Sequence, residues 1–119
     1  MKNSNRSIGK TGEEIAVKYL EKKKYKILKV NYQFHRYEID IIAKNKKNIV
    51  FIEVKRRNSC FFGKPEDAVT RPKQRNIIIA AKKYLVENKM WDSCFSRFDV
   101  IAIYANGEVK HIISAFEAD

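Results

Sequence analysis

The chain has 119 residues, and its 25 Lys and Arg against 14 Asp and Glu give a formal net charge of +11. This length suits one domain with a single core, residues 1–119. A hydrophobic content of 45% excludes a disordered tail. The excess of basic residues predicts a polyanionic partner, because each neutralised phosphate releases condensed counterions.

Features of membrane and secreted proteins are missing from the sequence. No apolar run approaches the length of a membrane span, the N-terminus does not resemble a signal peptide, and no basic helix has an aromatic apolar face. The two cysteines, Cys60 and Cys94, are isolated, which favours a reducing compartment. We therefore expect a cytoplasmic protein that does not bind membranes.

The periodicity of apolar residues predicts seven elements. Residues 1–10 are polar and expected to be flexible, and Thr11 and Glu14 form a capping box that predicts the start of the first helix. The other predicted elements are strands at 25–32, 36–43 and 48–56, a loop at 58–65, a helix at 70–88 with Pro72 in its first turn, and strands at 98–104 and 108–116 joined by Asn106-Gly107.

The order α-β-β-β-α-β-β restricts the topology. A strand, a long helix and a further strand form a β-α-β unit, which favours parallel, right-handed pairing at the centre of the sheet. We therefore predict an α/β domain with a mixed sheet, antiparallel hairpins at its edges and one helix on each face.

Asp40, Glu53 and Lys55 form the most informative pattern in the chain. If the hairpin is centred between Lys46 and Lys47, Asp40 lies directly across from Glu53. Opposed carboxylates destabilise a sheet unless a cation lies between them, and ligands that are all oxygen favour Mg²⁺ or Mn²⁺. With Lys55 beside them, the pattern predicts a site suited to hydrolysing a phosphodiester.

Structural explanations compete with the functional ones. Glu53 and Lys55 alone would suit the polar face of an exposed strand, but Asp40 embedded among isoleucines favours a site. Glu13 borders the buried stripe of the first helix and could overhang the sheet, or could serve only as a favourable charge near a helix N-terminus. Arg56 and Arg57 could contact a nucleic-acid backbone or form a solvated charge run.

Other polar and aromatic residues have structural roles as their first interpretation. We expect Asp99 in a structural ion pair and both His35 and His111 at the surface or on an edge strand. Three aromatic residues could stack on bases, although core packing is the more frequent role of such residues; they are Trp91, Phe61 and Phe62.

An ordered set of motifs gives the chain a family resemblance. It resembles the PD-(D/E)XK nuclease superfamily, and closely the YraN-like family of bacterial proteins, regarded as endonuclease-like proteins of unassigned biological role. Archaeal Holliday junction resolvases share a weaker similarity. The matching segments are 9–16, Asn31, 38–43, 51–55 with Arg57, 63–65, Lys73 and 97–100.

The resemblance implies a restriction-endonuclease-like three-layer core and specific roles. Asp40 and Glu53 would hold Mg²⁺ or Mn²⁺ with the main-chain carbonyl of Val54, and Lys55 would orient or deprotonate the attacking water. Glu13 would reach the metal or its water.

The resemblance also implies a group facing the substrate. Lys73 matches a position that often faces the scissile phosphate, and Gln74 is a neighbouring candidate. Solvent exposure is the ordinary alternative for both residues, although the positive end of a helix would suit a phosphate.

These patterns predict a metal-dependent endonuclease acting on DNA. The alternatives are a non-catalytic nucleic-acid-binding module on the same fold and a structural protein with an acidic protein partner. Branched or repair intermediates are candidate substrates, and resolution of a junction would require a homodimer.

Overall fold

The computed structural model describes residues 3–57 and 69–118. Within these ranges the chain forms two helices and five strands in the predicted order. They are α1 (Asn3–Lys22), β1 (Lys26–Phe34), β2 (Tyr37–Asn45), β3 (Asn48–Arg57), α2 (Arg71–Glu87), β4 (Phe95–Tyr104) and β5 (Val109–Phe116). The predicted loop at 58–65 and the aromatic residues Phe61 and Phe62 lie outside the described residues.

Helix α1 begins earlier than its capping box predicts. It runs from Asn3, so Thr11 lies within the helix and the predicted N-cap there is wrong. A cap stabilises N–H groups that have no acceptor, whereas within a continuous helix such groups already bond to carbonyls of the preceding turn. The flexibility of residues 1–10 stays a prediction.

The five strands form one mixed sheet in the order β1-β2-β3-β4-β5. Strands β3 and β4 are parallel neighbours joined through α2, which confirms the predicted crossover at the centre. The β2–β3 hairpin pairs Asn45 with Asn48, so its turn lies between Lys46 and Lys47 as predicted. The second hairpin turns at Asn106-Gly107, where Gly107 has a φ of +91°.

A helix packs on each face of the sheet. Leu20 of α1 belongs to one apolar cluster with Ile41 and Val50, and Ile77 of α2 belongs to another with Ile42 and Phe51. Alternate residues of the central strands thus bury opposite faces, which gives three layers. None of the helices in the described ranges has the length and apolar character needed to span a membrane.

Helix α2 begins as the sequence predicts. Thr70 is its N-cap and accepts a hydrogen bond from the Lys73 amide, and Pro72 lies in the first turn, where no amide donor is required. The apolar pattern predicts a buried face of Ile77, Ile78, Ala81, Tyr84 and Leu85. In the structure Ile78 is only half-buried, and Gln74 and Ala80 are buried as well.

Candidate active site

Strands β2 and β3 separate at the predicted carboxylates. Their last pair at this end is Ile41 with Ile52. Beyond it β2 remains paired with β1 and β3 remains paired with β4. The Val54 amide donates a 2.8 Å hydrogen bond to Asp40 Oδ2. We call the opening lined by Asp40, Glu53 and Val54 the fork.

The fork brings two carboxyl groups together in a partly buried position. Continuing the register from Ile41 and Ile52 puts Asp40 opposite Glu53 as predicted, and the two carboxyls are close enough for the charge of Asp40 to act on Glu53. Glu53 is only 7% exposed. Burial raises the pKa of both carboxyls, and the neighbouring charge of Asp40 raises the pKa of Glu53 further.

Two lysines from different elements approach the same carboxylate oxygen. Lys55 Nζ lies 3.6 Å from Glu53 Oε2, and Lys73 Nζ, from the first turn of α2, lies 3.5 Å from it. Both ammonium groups lower the pKa of the two carboxyls against the larger effect of burial. The fork thus combines two acidic and two basic groups.

Glu13 of α1 lies close enough to the fork for the charge of Asp40 to act on it. It is half-buried, and burial raises its pKa, with a further increase from the charges of Asp40 and Glu38. A hydrogen bond from Asn31 acts in the opposite direction. The charge of Asp40 therefore acts on Glu13, as the place of Glu13 on α1 predicts.

The donor atoms in the fork suit a hard divalent cation. Asp40 and Glu53 offer carboxylate oxygens, and closely apposed carboxyls of raised pKa are stabilised when a cation neutralises them. Among the side chains that the structure describes, no three of the His, Cys, Asp and Glu residues converge closely enough to hold a metal. The role of the Val54 carbonyl as a further ligand stays a prediction.

The predicted phosphate-binding candidates are not equivalent in the structure. Gln74 is buried, and its side-chain amide donates to the Val69 carbonyl at 2.9 Å, so its expected solvent exposure is wrong. This bond commits the amide to the turn preceding α2 and does not support a phosphate contact. Lys73 is the better placed of the two, because its ammonium lies at the fork.

Arg56 and Arg57 diverge at the end of β3. Successive residues of a strand point to opposite faces. The exposed Arg56 passes over α1, so close that a Cβ atom at Gly12 would stand 2.7 Å from Arg56 Cδ. Arg57 is half-buried and, by this alternation, lies on the face shared with Glu53 and Lys55. The two arginines therefore cannot act as one patch.

Asp99 forms the predicted structural ion pair in an unpredicted network. The fully buried carboxylate accepts two 3.0 Å hydrogen bonds from Arg97 and one from the Ser114 amide. His111 Nε2 lies 2.7 Å from Asp99 Oδ2, and His111 Nδ1 lies 3.1 Å from the Tyr19 hydroxyl. His111 is on the edge strand as predicted, but its side chain is buried because Asp99 and α1 enclose it.

Trp91 differs from the sequence-based expectation, and His35 agrees with it. Trp91 is 54% exposed, so the expectation of core packing is wrong; it lies in the connection after α2. His35 is exposed in the turn after β1, as predicted. Asn31 is among the residues that carry the family resemblance, but the sequence alone assigns it no role.

Comparison with known proteins gives a consistent family match. Residues 12–103 match the model of "Uncharacterised protein family UPF0102". The chain is 47% identical over 116 residues to the UPF0102 protein of Geobacter metallireducens, covering 95% of this chain and 94% of that one. It is 42% identical over 121 residues to UPF0102 protein TTE1452 of Caldanaerobacter subterraneus subsp. tengcongensis, covering 97% and 98%. It is 50% identical over 103 residues to UPF0102 protein CPE1705 of Clostridium perfringens, covering 87% and 84%.

Proposed function

This chain belongs to the uncharacterised protein family UPF0102, and from the fork we propose that it is a metal-dependent endonuclease acting on DNA, with a restriction-endonuclease-like fold. One observation carries the proposal. Two apposed carboxyls, Asp40 and Glu53, share a partly buried opening with the ammonium groups of Lys55 and Lys73. A structural role alone does not require this arrangement, because like charges opposed in a sheet are destabilising.

The fork residues have separate tasks in this proposal. Asp40, Glu53 and the Val54 carbonyl would hold Mg²⁺ or Mn²⁺. When bound, such a cation polarises the phosphate and lowers the pKa of the attacking water. Lys55, as an ammonium group, orients that water and stabilises the charge that develops on the phosphoryl oxygens. Lys73 faces the phosphate from α2, and Glu13 accepts hydrogen bonds from water at the edge of the fork.

The charge of the protein supports DNA as the substrate. The net charge of +11 favours a long polyanion over a small phosphate ester. Arg56 and Arg57 leave the fork on opposite faces, which suits contacts with the backbone on either side of the scissile bond. Branched or repair intermediates are the preferred substrates in this proposal, in a cytoplasmic protein, and cutting both strands of a junction would require a homodimer.

The deciding experiment is cleavage of end-labelled DNA. Four-way junction, flap, single-stranded and plain duplex substrates are incubated with Mg²⁺ or Mn²⁺ and wild-type, Asp40→Ala or Glu53→Ala protein. Asp92→Ala is the matched control, because Asp92 is an exposed carboxylate in the connection after α2. We expect cutting by wild type and by the control, and none by either fork variant.

The outcomes separate the functions. Equal cutting by all four proteins would indicate a contaminating nuclease. Binding without cutting in either metal would favour a non-catalytic nucleic-acid-binding module. Metal-dependent thermal stabilisation distinguishes the two independently, because a ligand that binds only the folded state raises the melting temperature.

A further inference from the structure

Asn31 occupies an unusual position in β1. Its φ is +57°, in the left-handed region that most residues other than glycine avoid and that asparagine tolerates best. Val30 pairs with Ile41 and Tyr32 pairs with Ile39, so Asn31 lies opposite Asp40 across the β1–β2 ladder. The backbone thus departs from ordinary strand geometry beside the fork.

The side chain of Asn31 faces α1. Asn31 and Glu13 line one groove of about 440 Å³ between α1 and β1, and Asn31 lowers the pKa of the Glu13 carboxyl as a hydrogen-bond donor does. Asn31 is exposed, so core packing does not account for it. An amide group can donate to a carboxylate, whereas an apolar strand residue cannot.

Glu13 needs such a donor in order to stay near the fork. The charges of Asp40 and Glu38 both act on its carboxylate. Like-charge repulsion favours a rotamer that turns Glu13 out to solvent. A hydrogen bond from Asn31, which is itself fixed opposite Asp40, opposes that movement.

We propose that Asn31 is a positioning residue of the fork, whose side-chain amide donates to Glu13 and holds that carboxylate beside Asp40. The inference rests on the proposed function for its catalytic consequence. The Asn31–Glu13 contact itself does not depend on the proposed function, because that contact can be tested without metal or DNA.

The first test uses a substitution that keeps the backbone. Asn31→Gly retains the positive φ and removes only the amide, and Lys46→Gly is the matched control, since Lys46 also has a positive φ (+59°) but lies in the hairpin turn. We expect Asn31→Gly to lower the cleavage rate and the Mn²⁺ affinity measured by calorimetry by about 10- to 100-fold, as removal of an orienting partner commonly does. Lys46→Gly should match wild type in both. Wild-type cleavage and affinity in Asn31→Gly would overturn the proposal.

A double-mutant cycle identifies Glu13 as the partner. If Asn31 acts through Glu13, Asn31→Gly should have no further effect on cleavage or Mn²⁺ affinity in a Glu13→Ala background. The same cycle on metal-free melting temperatures should also be non-additive. Additive effects would overturn the proposal. If wild type neither binds Mn²⁺ nor cuts DNA, the proposed function fails, and the metal-free cycle still decides whether Asn31 holds Glu13.

Discussion

Lys73 Nζ lies 3.5 Å from Glu53 Oε2, which links the first turn of α2 to the middle of the sheet. Lys55 approaches the same oxygen from its own strand at 3.6 Å. One carboxylate oxygen is thus approached by two ammonium groups at the fork. We expect both groups to turn towards the substrate phosphate when Glu53 engages a cation.

Replacing Lys73 should weaken DNA binding through the loss of a phosphate contact. We expect Lys73→Ala to bind all sequences more weakly and to lower the slope of log affinity against log salt by about one. The measurement is fluorescence anisotropy with labelled DNA across a salt series. Lys82→Ala, an exposed lysine on the same helix, serves as control and should keep the wild-type slope. A Lys73→Ala slope equal to that of wild type would place Lys73 outside the DNA contact.

Neutralising Glu53 should stabilise the metal-free protein while destroying metal binding. Glu53→Gln removes the repulsion with Asp40, and opposed like charges in a sheet destabilise it by about 0.2–1 kcal/mol. The two lysines that lose their partner are partly exposed and remain hydrated. Melting temperatures in EDTA should therefore rise slightly, and the further rise that Mn²⁺ causes in wild type should vanish. A variant still stabilised by Mn²⁺ would exclude Glu53 as a ligand.

The hydrogen bonds and ion pairs around Asp99 should make the free energy of unfolding fall at low pH. Burial alone raises the pKa of Asp99, but hydrogen bonds from His111, Arg97 and the Ser114 amide outweigh it and hold that pKa below its ordinary value of 3.8. The folded state therefore binds this proton more weakly than the unfolded state. The resulting stabilisation is fully present above pH 3.8 and is lost as the pH falls through the lower pKa of the folded state.

Asp99→Asn tests this linkage. Breaking a buried ion pair commonly costs about 3–5 kcal/mol, because the remaining charge loses its partner. We expect the free energy of unfolding of the variant to be lower than that of wild type by this amount near neutral pH. The difference should become smaller below pH 3.8. Urea unfolding across a pH series measures it, with Asp92→Asn at an exposed site as control. A difference that is constant with pH would mean that the Asp99 charge does not stabilise the fold.

Gly12 should matter mainly because it leaves room for the Arg56 side chain, and less for the stability of α1. Alanine favours a helix over glycine by about 1 kcal/mol, but its Cβ would stand 2.7 Å from Arg56 Cδ and displace that side chain. We expect Gly12→Ala to melt near the wild-type temperature and to lose DNA affinity to a similar extent as Arg56→Ala. The double variant should bind no more weakly than Arg56→Ala. Wild-type DNA affinity in Gly12→Ala would show that Gly12 does not affect DNA binding through Arg56.

Local patterns in the sequence suffice for most of the fold. Alternating apolar residues, the polar turn between β2 and β3 and the Asn106-Gly107 turn predict the strands, and each depends on near neighbours in the chain. The opposition of Asp40 and Glu53 also follows from a local hairpin register, which the structure confirms at Ile41 and Ile52. Residues whose partners are close in sequence could therefore be placed without coordinates.

Other features depended on contacts between distant segments. The burial of His111 depends on Asp99 and Tyr19, from two other elements.

What the sequence by itself determined is the order of the elements, the parallel crossover and the pair of carboxylates. The resemblance named Glu13 and Lys73 as candidates, and only the tertiary structure decided how the groups around that pair are placed. Lys73 comes from α2, Glu13 comes from α1, and Asn31 of β1 lines the same groove as Glu13. Strand periodicity acts over neighbouring residues, whereas electrostatic fields and hydrogen bonds act between whichever groups packing brings close.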